Sequence, residues 1–347
     1  LRTKYHILKE FYKNVPDLKI LEAGANTAEF IISLLEKIRI TISEEESRLI
    51  LGDRYRDSYL EVIRDFYLLY NNTSDPAYLD KAFEYTEKSK IAGLLASTRE
   101  LKATQFHIPP ELAGLERDLQ QESAILNDRI AGKSEYGNAS DDIVSIWKRN
   151  LFNTIRKRDS LIKVFEKEYP EYYSIKYNTR VIKPDEIPDI MGKKGNYISY
   201  VASDTNIFIS VVNKRYQKLI AISVDSSFYA KVRKYRNLLS APRFDNARNE
   251  FSDYHTIGYE LYNTLITPVK PYLISERVVI SPDNLLSYIP FETLPVNPGN
   301  IEKLSYSHIE YLMEELDISY TYSATFMAEN IKRHYQAGNT AIAFAPD

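Results

Sequence analysis

The chain has 347 residues, which is enough for two domains or one large one. Of these residues 44% are hydrophobic and 27% are charged, a composition typical of globular proteins. Its net charge of -3 offers no basic field for nucleic acid, and no apolar run is long enough to span a bilayer. Cysteine is absent, which excludes disulfides and thiolate chemistry within these residues.

The amino terminus, which begins Leu1-Arg2-Thr3, has no signal-peptide layout and reads as the inside of a helix. We therefore expect a larger parent protein and a cytoplasmic location.

Residues 1–106 are predicted to be helical throughout. Residues 71–76 end one amphipathic helix, and Ser74 or Asp75 can cap the next one, with Pro76 at its first position. The pair resembles a tetratricopeptide-type repeat, and residues 23–40 with 44–52 suggest an earlier pair. No strict period of 34 residues is present, so a generic helical bundle remains the alternative. The apolar stripe before the break has helical spacing and comprises Tyr59, Val62, Ile63, Phe66, Tyr67 and Tyr70.

Residues 107–171 are predicted to form a long antiparallel helical hairpin. Pro109 and Pro110 mark its start, and residues 132–137 are predicted to be a polar loop. The charged outer faces indicate a solvated surface or a surface that binds a partner. The first helix has a near-heptad seam, and the second carries a stripe back to Pro170; the two sets are Leu112, Leu115, Leu119, Leu126 and Ile130, and Trp147, Leu151, Thr154, Ile155, Leu161, Ile162, Phe165 and Tyr169.

Residues 172–347 have an α/β pattern. A hairpin is predicted at 197–201 and 207–212, a third strand at 218–224, and helical stripes begin at Phe228 and Tyr254. Alternation of strands and helices predicts a partly parallel sheet, whose edge the hairpin extends. The later predicted elements are a polar loop at 297–300, a helix at 309–316, a strand at 318–322, a helix at 324–335 and a strand at 341–345.

The stretch 277–295 is the predicted centre of this α/β region. Val278, Val279 and Ile280 suit a strand buried on both faces, and Pro282 breaks it. Apolar residues resume at 285–289, which predicts a short second strand. Pro290 and Pro295 then enclose a rigid corner.

This stretch, VVISPDNLLSYIPFETLP, resembles the first half of CHAT domains, the caspase-like domains attached to tetratricopeptide repeats in bacteria. Residues 259–268 resemble the helix that leads into this signature, residues 318–324 the strand and helix start that follow it, and residues 197–212 the opening hairpin. The resemblance implies a fold class of helical repeats, a long hairpin and a mixed-sheet caspase-like half-domain. It also implies a cysteine peptidase, or a regulatory relative, whose histidine and cysteine follow the strand that residues 340–345 resemble.

The preferred hypothesis is therefore a fragment of a bacterial tetratricopeptide–CHAT protein that serves as a protein-binding and scaffold part and is inactive by itself. The alternative is a non-enzymatic interaction protein with a degenerate caspase-like domain. In either case we expect protein or peptide partners for the helical region.

We predict no catalytic, cofactor-binding or metal-binding residue in these 347 positions. Asp253 with His255 has no nucleophile elbow beside it, and residues 192–195 lack the spacing of a phosphate-binding loop and are predicted to be a basic turn. Asp283 and Glu292 are expected to be structural, with Asp283 bonding turn amides and Glu292 capping or pairing at the corner. No histidine has a second histidine at metal-ligand spacing, and the nearest cluster is His308 with Glu310 and Glu314; the five histidines are His6, His107, His255, His308 and His334.

Overall fold

The computed structural model divides into two compact units, Leu1–Val181 and Ile182–Asp347, which are described separately. The first unit is helical, and the second contains a five-stranded sheet. The residues that the structure describes are 1–41, 45–98, 108–136, 141–169, 172–173, 177, 181–240, 247–298 and 306–332.

The described residues of the first unit contain six long helices. Within the described ranges, no helix is long and apolar enough to cross a membrane. The helices are α1 (Arg2–Asn14), α2 (Leu18–Thr41), α3 (Glu45–Thr73), α4 (Pro76–Thr98), α5 (Pro110–Tyr136) and α6 (Asp141–Glu168).

The break between α3 and α4 is as predicted, and Asp75 caps α4. Its Oδ1 accepts a hydrogen bond from the Ala77 N–H at 2.9 Å, while Ser74 takes a positive φ of 58°. Phe66 of α3 stacks on Tyr78 and Tyr85 of α4, so the two helices pack through aromatic rings. One prediction was wrong here, because residues 45–52 are the first turns of α3 rather than a separate helix.

Helices α5 and α6 form the predicted antiparallel hairpin, since Leu119 near the start of α5 packs with Leu161 and Phe165 near the end of α6. The heptad seam was wrong at Leu115, which is 45% exposed, whereas its neighbour Glu116 is buried. The predicted loop at 132–137 was also wrong, because α5 continues through Gly132 to Tyr136. A helical glycine costs only about 1 kcal/mol relative to alanine, so Gly132 does not end the helix.

The sheet of the second unit has the predicted mixed topology, with strand order β3-β2-β1-β4-β5. The antiparallel hairpin forms one side, and β1, β4 and β5 run parallel to one another. The strands are β1 (Asn196–Ala202), β2 (Asn206–Val212), β3 (Gln217–Ser223), β4 (Arg277–Ser281) and β5 (Asp317–Tyr320).

Helices lie between and around these strands, and the stripes beginning at Phe228 and Tyr254 pack against the sheet. Ile198, Tyr200, Val278 and Ile280 on one face of the sheet share a core with these two helices. Val279 on the opposite face is buried as well, and burial on both faces explains the unbroken apolar run of β4. The helices are α7 (Ile187–Met191), α8 (Ser226–Ser240), α9 (Ala247–Leu265), α10 (Leu312–Glu315) and α11 (Ala324–Lys332).

Residues 285–289 do not form the predicted short strand. Asn284–Tyr288 is a 3-10 helix, and Phe291–Thr293 is a second one. Pro282 and Pro290 leave room for little more than one turn, and Leu285, Leu286, Tyr288 and Ile289 have the spacing of a helix rather than of a strand. The predicted helix at 309–316 is shorter than expected, and the predicted strand at 341–345, His107 and His334 lie outside the described residues.

Candidate functional site

The carboxyl ends of β1, β4 and β5 meet at one edge of the sheet because these strands are parallel. In open α/β sheets this edge is where ligands bind and where functional side chains collect. The predicted corner between Pro290 and Pro295 belongs to a longer segment, residues 282–295, which leaves β4 at this edge. The name corner is used below for the whole of 282–295. The corner is therefore the candidate functional region of the second unit.

Asp283 ties the corner to the neighbouring strand. Its Oδ2 accepts a hydrogen bond from the N–H of Ala202, the last residue of β1, at 2.8 Å. The amide thus belongs to a segment 81 residues away rather than to the turn of Asp283 itself. A carboxylate that accepts a backbone N–H at a strand end satisfies a donor that the sheet leaves unpaired.

Glu292 pairs with Tyr320 at the end of β5. The Tyr320 hydroxyl donates to Glu292 Oε2 and accepts from the Phe291 N–H at 2.8 Å. Burial, followed by the hydrogen bond to Glu292, raises the pKa of Tyr320, so the hydroxyl keeps its proton and remains a donor. Glu292 therefore holds the corner against β5.

The carbonyl of Thr293 receives two further tyrosines. The hydroxyls of Tyr235 in α8 and Tyr254 in α9 each donate to it at 2.8 Å, and the two rings stack with centroids 5.3 Å apart. Burial raises the pKa of Tyr235 to about 12. The sequence pattern indicated these tyrosines only as members of helical stripes and gave no signal for their hydroxyl partner.

Short links also hold the connection after β5. Ser281 at the end of β4 donates its hydroxyl to the Tyr322 carbonyl at 2.7 Å, and the Thr321 N–H donates to the Ile280 carbonyl at 3.0 Å. The buried Ser323 accepts from the Phe326 N–H at 3.0 Å and so caps α11. Hydrogen bonds therefore form a frame at this edge of the sheet. They hold the segments after β4 and β5 in position.

Two of the described histidines, His255 and His308, lie in the second unit. His255 in α9 is 3% exposed and its Nε2 has no hydrogen-bond partner, so burial lowers its pKa. Asp253 instead forms an ion pair with Lys234 at 2.6 Å, which leaves no Asp–His pair for a serine triad.

The possible metal cluster at His308 is likewise not assembled. Glu310 accepts from the Asn297 side chain at 2.8 Å, and Glu314 accepts from the Tyr311 N–H at 3.2 Å. His308 is exposed. Among the described residues no group of three or more histidine, cysteine or acidic side chains could hold a metal ion.

Residues 192–195 form a tight basic turn. Gly192 takes a φ of +78° directly after α7, a conformation that favours glycine, and the Gly195 N–H donates to the Gly192 carbonyl at 3.2 Å. The turn leads directly into β1, whose first residue is Asn196.

Comparison with known families finds a similarity that covers the corner. Residues 255–346 match the model described as the CHAT domain. No curated protein matches the chain. The match begins inside α9 and includes β4, both 3-10 helices of the corner, β5 and α11, so the frame built on Asp283, Glu292 and Thr293 lies within the segment that is similar to CHAT domains.

Proposed function

We propose that the second unit is the scaffold half of a caspase-like CHAT domain and that the helical unit binds protein partners. The observation that carries the proposal is the CHAT domain match over 255–346, which includes the parallel strands β4 and β5 and the hydrogen-bonded corner. The sheet would position the strands that bear the histidine and cysteine of the family. The proposal includes a bacterial origin, a cytoplasmic location and degenerate tetratricopeptide-like repeats in the helical unit. These three features rest on the family resemblance.

Peptide cleavage by a thiolate needs a cysteine nucleophile with a histidine beside it. Residues 1–347 contain no cysteine. Any thiol-dependent peptidase activity would therefore need a cysteine from outside residues 1–347, and residues 1–347 would contribute binding and support.

A cleavage assay tests this division of roles. Purified 1–347 is incubated with a fluorogenic peptide library, with and without iodoacetamide. We expect no cleavage that iodoacetamide abolishes, and thiol-sensitive turnover by the pure chain would refute the proposal. Any coding sequence that continues past residue 347 should contain a histidine and a cysteine at the next strand ends.

The absence of cysteine also favours a second candidate function. In this alternative the protein is a non-enzymatic interaction protein whose caspase-like part is degenerate. Any coding sequence past residue 347 distinguishes the peptidase from the interaction protein. A continuation with neither histidine nor cysteine favours the interaction protein.

A further inference from the structure

Strand β3 forms one edge of the sheet, and its outer side pairs with no strand among the described residues. Its seven residues, Gln217–Ser223, pair with β2 in an unbroken antiparallel register. The opposite edge is β5, which has four residues and lies within the segment that is similar to CHAT domains, whereas β3 lies outside that segment. The proposed function therefore leaves the edge of β3 unexplained.

The hydrogen bonds at the two ends of the hairpin show which backbone groups of β3 face outward. At the turn, the Asn213 N–H donates to the Tyr216 carbonyl at 2.9 Å. At the other end, the Val224 N–H donates to the Thr205 carbonyl at 2.9 Å. Because the bonding direction alternates along an antiparallel pair, residues 218, 220 and 222 bond to β2 and the residues between them face outward.

Three residues of β3 thus present both an N–H and a carbonyl to the open edge, namely Leu219, Ala221 and Ser223. No described residue makes a hydrogen bond to these backbone groups. Such a row of donors and acceptors is satisfied by a second extended backbone, which adds a strand to the sheet. The edge of β3 therefore requires an extended segment as its partner.

The usual obstacles to strand addition are few in β3. The strand contains no proline, its register with β2 has no bulge, and its one charged residue is Lys218 near its start. The ammonium group of Lys218 lies 5.7 Å from the centroid of the Tyr272 ring, so its charge is held by a neighbouring side chain of the same unit. The edge is therefore open along the rest of its length.

The apolar side chains of β3 are complementary to those of a second copy. Ile220 and Ile222 pack against the core of the sheet but remain partly exposed, and their spacing places both on one face. In an antiparallel pair of β3 with its own copy, centred on Ala221, Ile220 of each chain lies opposite Ile222 of the other. Each isoleucine would then cover the exposed part of its counterpart.

The charges at the two ends of β3 are also complementary to a second copy. Lys214 and Arg215 precede the strand, and both are exposed. Asp225 follows it, Asp204 lies at the same end of the hairpin, and both are exposed as well. Antiparallel self-pairing places the basic start of each strand beside the acidic end of the other, which favours this partner and this direction.

We propose that two copies of this chain associate edge to edge through their β3 strands, paired antiparallel about Ala221, so that the two sheets become one continuous sheet. The inference goes beyond the proposed function, which concerns β4, β5 and the helical unit. One pair of short strands buries less than a standard interface of about 1,600 Å², so we expect a weak dimer.

Sedimentation velocity of 1–347 over about 5–300 µM tests for this association. We expect the sedimentation coefficient to rise with concentration towards that of a dimer. The rise should be smaller at high salt, because the charges at the strand ends are then screened. Hydrogen exchange locates the contact: amides in 217–223 should exchange more slowly at the high concentration, whereas those in 317–320 of β5 should exchange alike at both.

Ala221→Pro should abolish the association over this range, because it removes an outward N–H without breaking a bond to β2. Ala221→Ser is the matched control, since it changes the same side chain but keeps the N–H, and it should associate as the unsubstituted chain does. Circular dichroism checks that the variants fold. Should Ala221→Pro fail to fold, Ser223→Pro against Ser223→Ala makes the same comparison at the last residue of β3.

A chain that stays monomeric throughout the range would overturn the proposal. So would a dimer that Ala221→Pro leaves intact, or concentration-dependent protection on 317–320 in place of 217–223. Protection of 217–223 at every concentration would assign the edge to another segment of the same chain and would overturn it as well. None of these results bears on the cleavage assay, so the two proposals fail independently.

Discussion

Tyrosine hydroxyls donate to carboxylates in both units. The chain has 28 tyrosines and one tryptophan, and several of the tyrosines bridge segments far apart in sequence. Burial and the partner carboxylate raise the pKa of these phenols, so each remains a protonated donor at neutral pH. Four examples are Tyr5 with Asp65, Tyr85 with Glu29, Tyr177 with Glu116 and Tyr320 with Glu292.

The contribution of tyrosine hydroxyl hydrogen bonds to stability can be measured at the carbonyl of Thr293, which Tyr235 and Tyr254 share. Tyr235→Phe or Tyr254→Phe alone removes one of two donors and should cost about 0.5–1.5 kcal/mol of unfolding free energy. The double variant removes both donors, and we expect its cost to exceed the sum of the single costs. Urea denaturation gives the three values, and strict additivity would show that the carbonyl does not couple the two rings.

His255 should make stability depend on pH. Its folded pKa lies below the ordinary value of 6.5 because it is buried. The neutral form therefore contributes stability above pH 6.5, and this is lost as the pH falls through the folded pKa, because the unfolded chain binds the proton first. Between pH 7 and pH 5, the unfolding free energy of His255→Leu, measured by urea denaturation, should rise relative to that of the unsubstituted chain.

At the scale of the elements, Gly258 sets how closely α9 approaches the corner. A Cβ at this position would lie 2.6 Å from Pro295 Cδ and 2.8 Å from Tyr235 Cε2. Gly258→Ala should therefore destabilise the protein by about 1–3 kcal/mol, although alanine favours the helix. Gly114→Ala, where a Cβ meets nothing, should instead stabilise it by about 0.5–1 kcal/mol. A stable Gly258→Ala in urea denaturation would contradict the close approach.

The elements that the sequence predicts well are those whose apolar spacing is long and uniform. Strands β1 to β4 and the stripe of α3 are confirmed because a buried face imposes its period on every residue. Short segments are less well determined by pattern. Residues 285–289 have helical spacing over too few residues, so the proline boundaries decide their conformation.

Contacts between distant segments decide what pattern cannot. Glu116 is buried beside an exposed Leu115 because Tyr172 and Tyr177 donate to its carboxylate, a partnership 56 and 61 residues away. In the same way, the amide that Asp283 accepts and the carbonyl that Tyr235 and Tyr254 share depend on tertiary folding. The sequence therefore predicts the candidate site as a place in the chain but does not predict its hydrogen bonds.

At the scale of the whole molecule, each unit has a core of its own. Phe165 packs with Leu119 and Leu161 in the helical unit, while Ile198 and Ile280 belong to the core of the sheet unit. Units with separate cores can unfold separately, and one free energy then does not describe the chain.

The tryptophan reports on the helical unit. Trp147 lies in α6, so its fluorescence follows the helical unit, whereas far-ultraviolet circular dichroism follows both units. Gly258→Ala lies in the sheet unit and should shift part of the dichroism transition to lower urea while leaving the fluorescence midpoint unchanged. Gly114→Ala lies in the helical unit and should raise the fluorescence midpoint. Coincident shifts of both signals in both variants would mean that the 347 residues unfold as one cooperative structure.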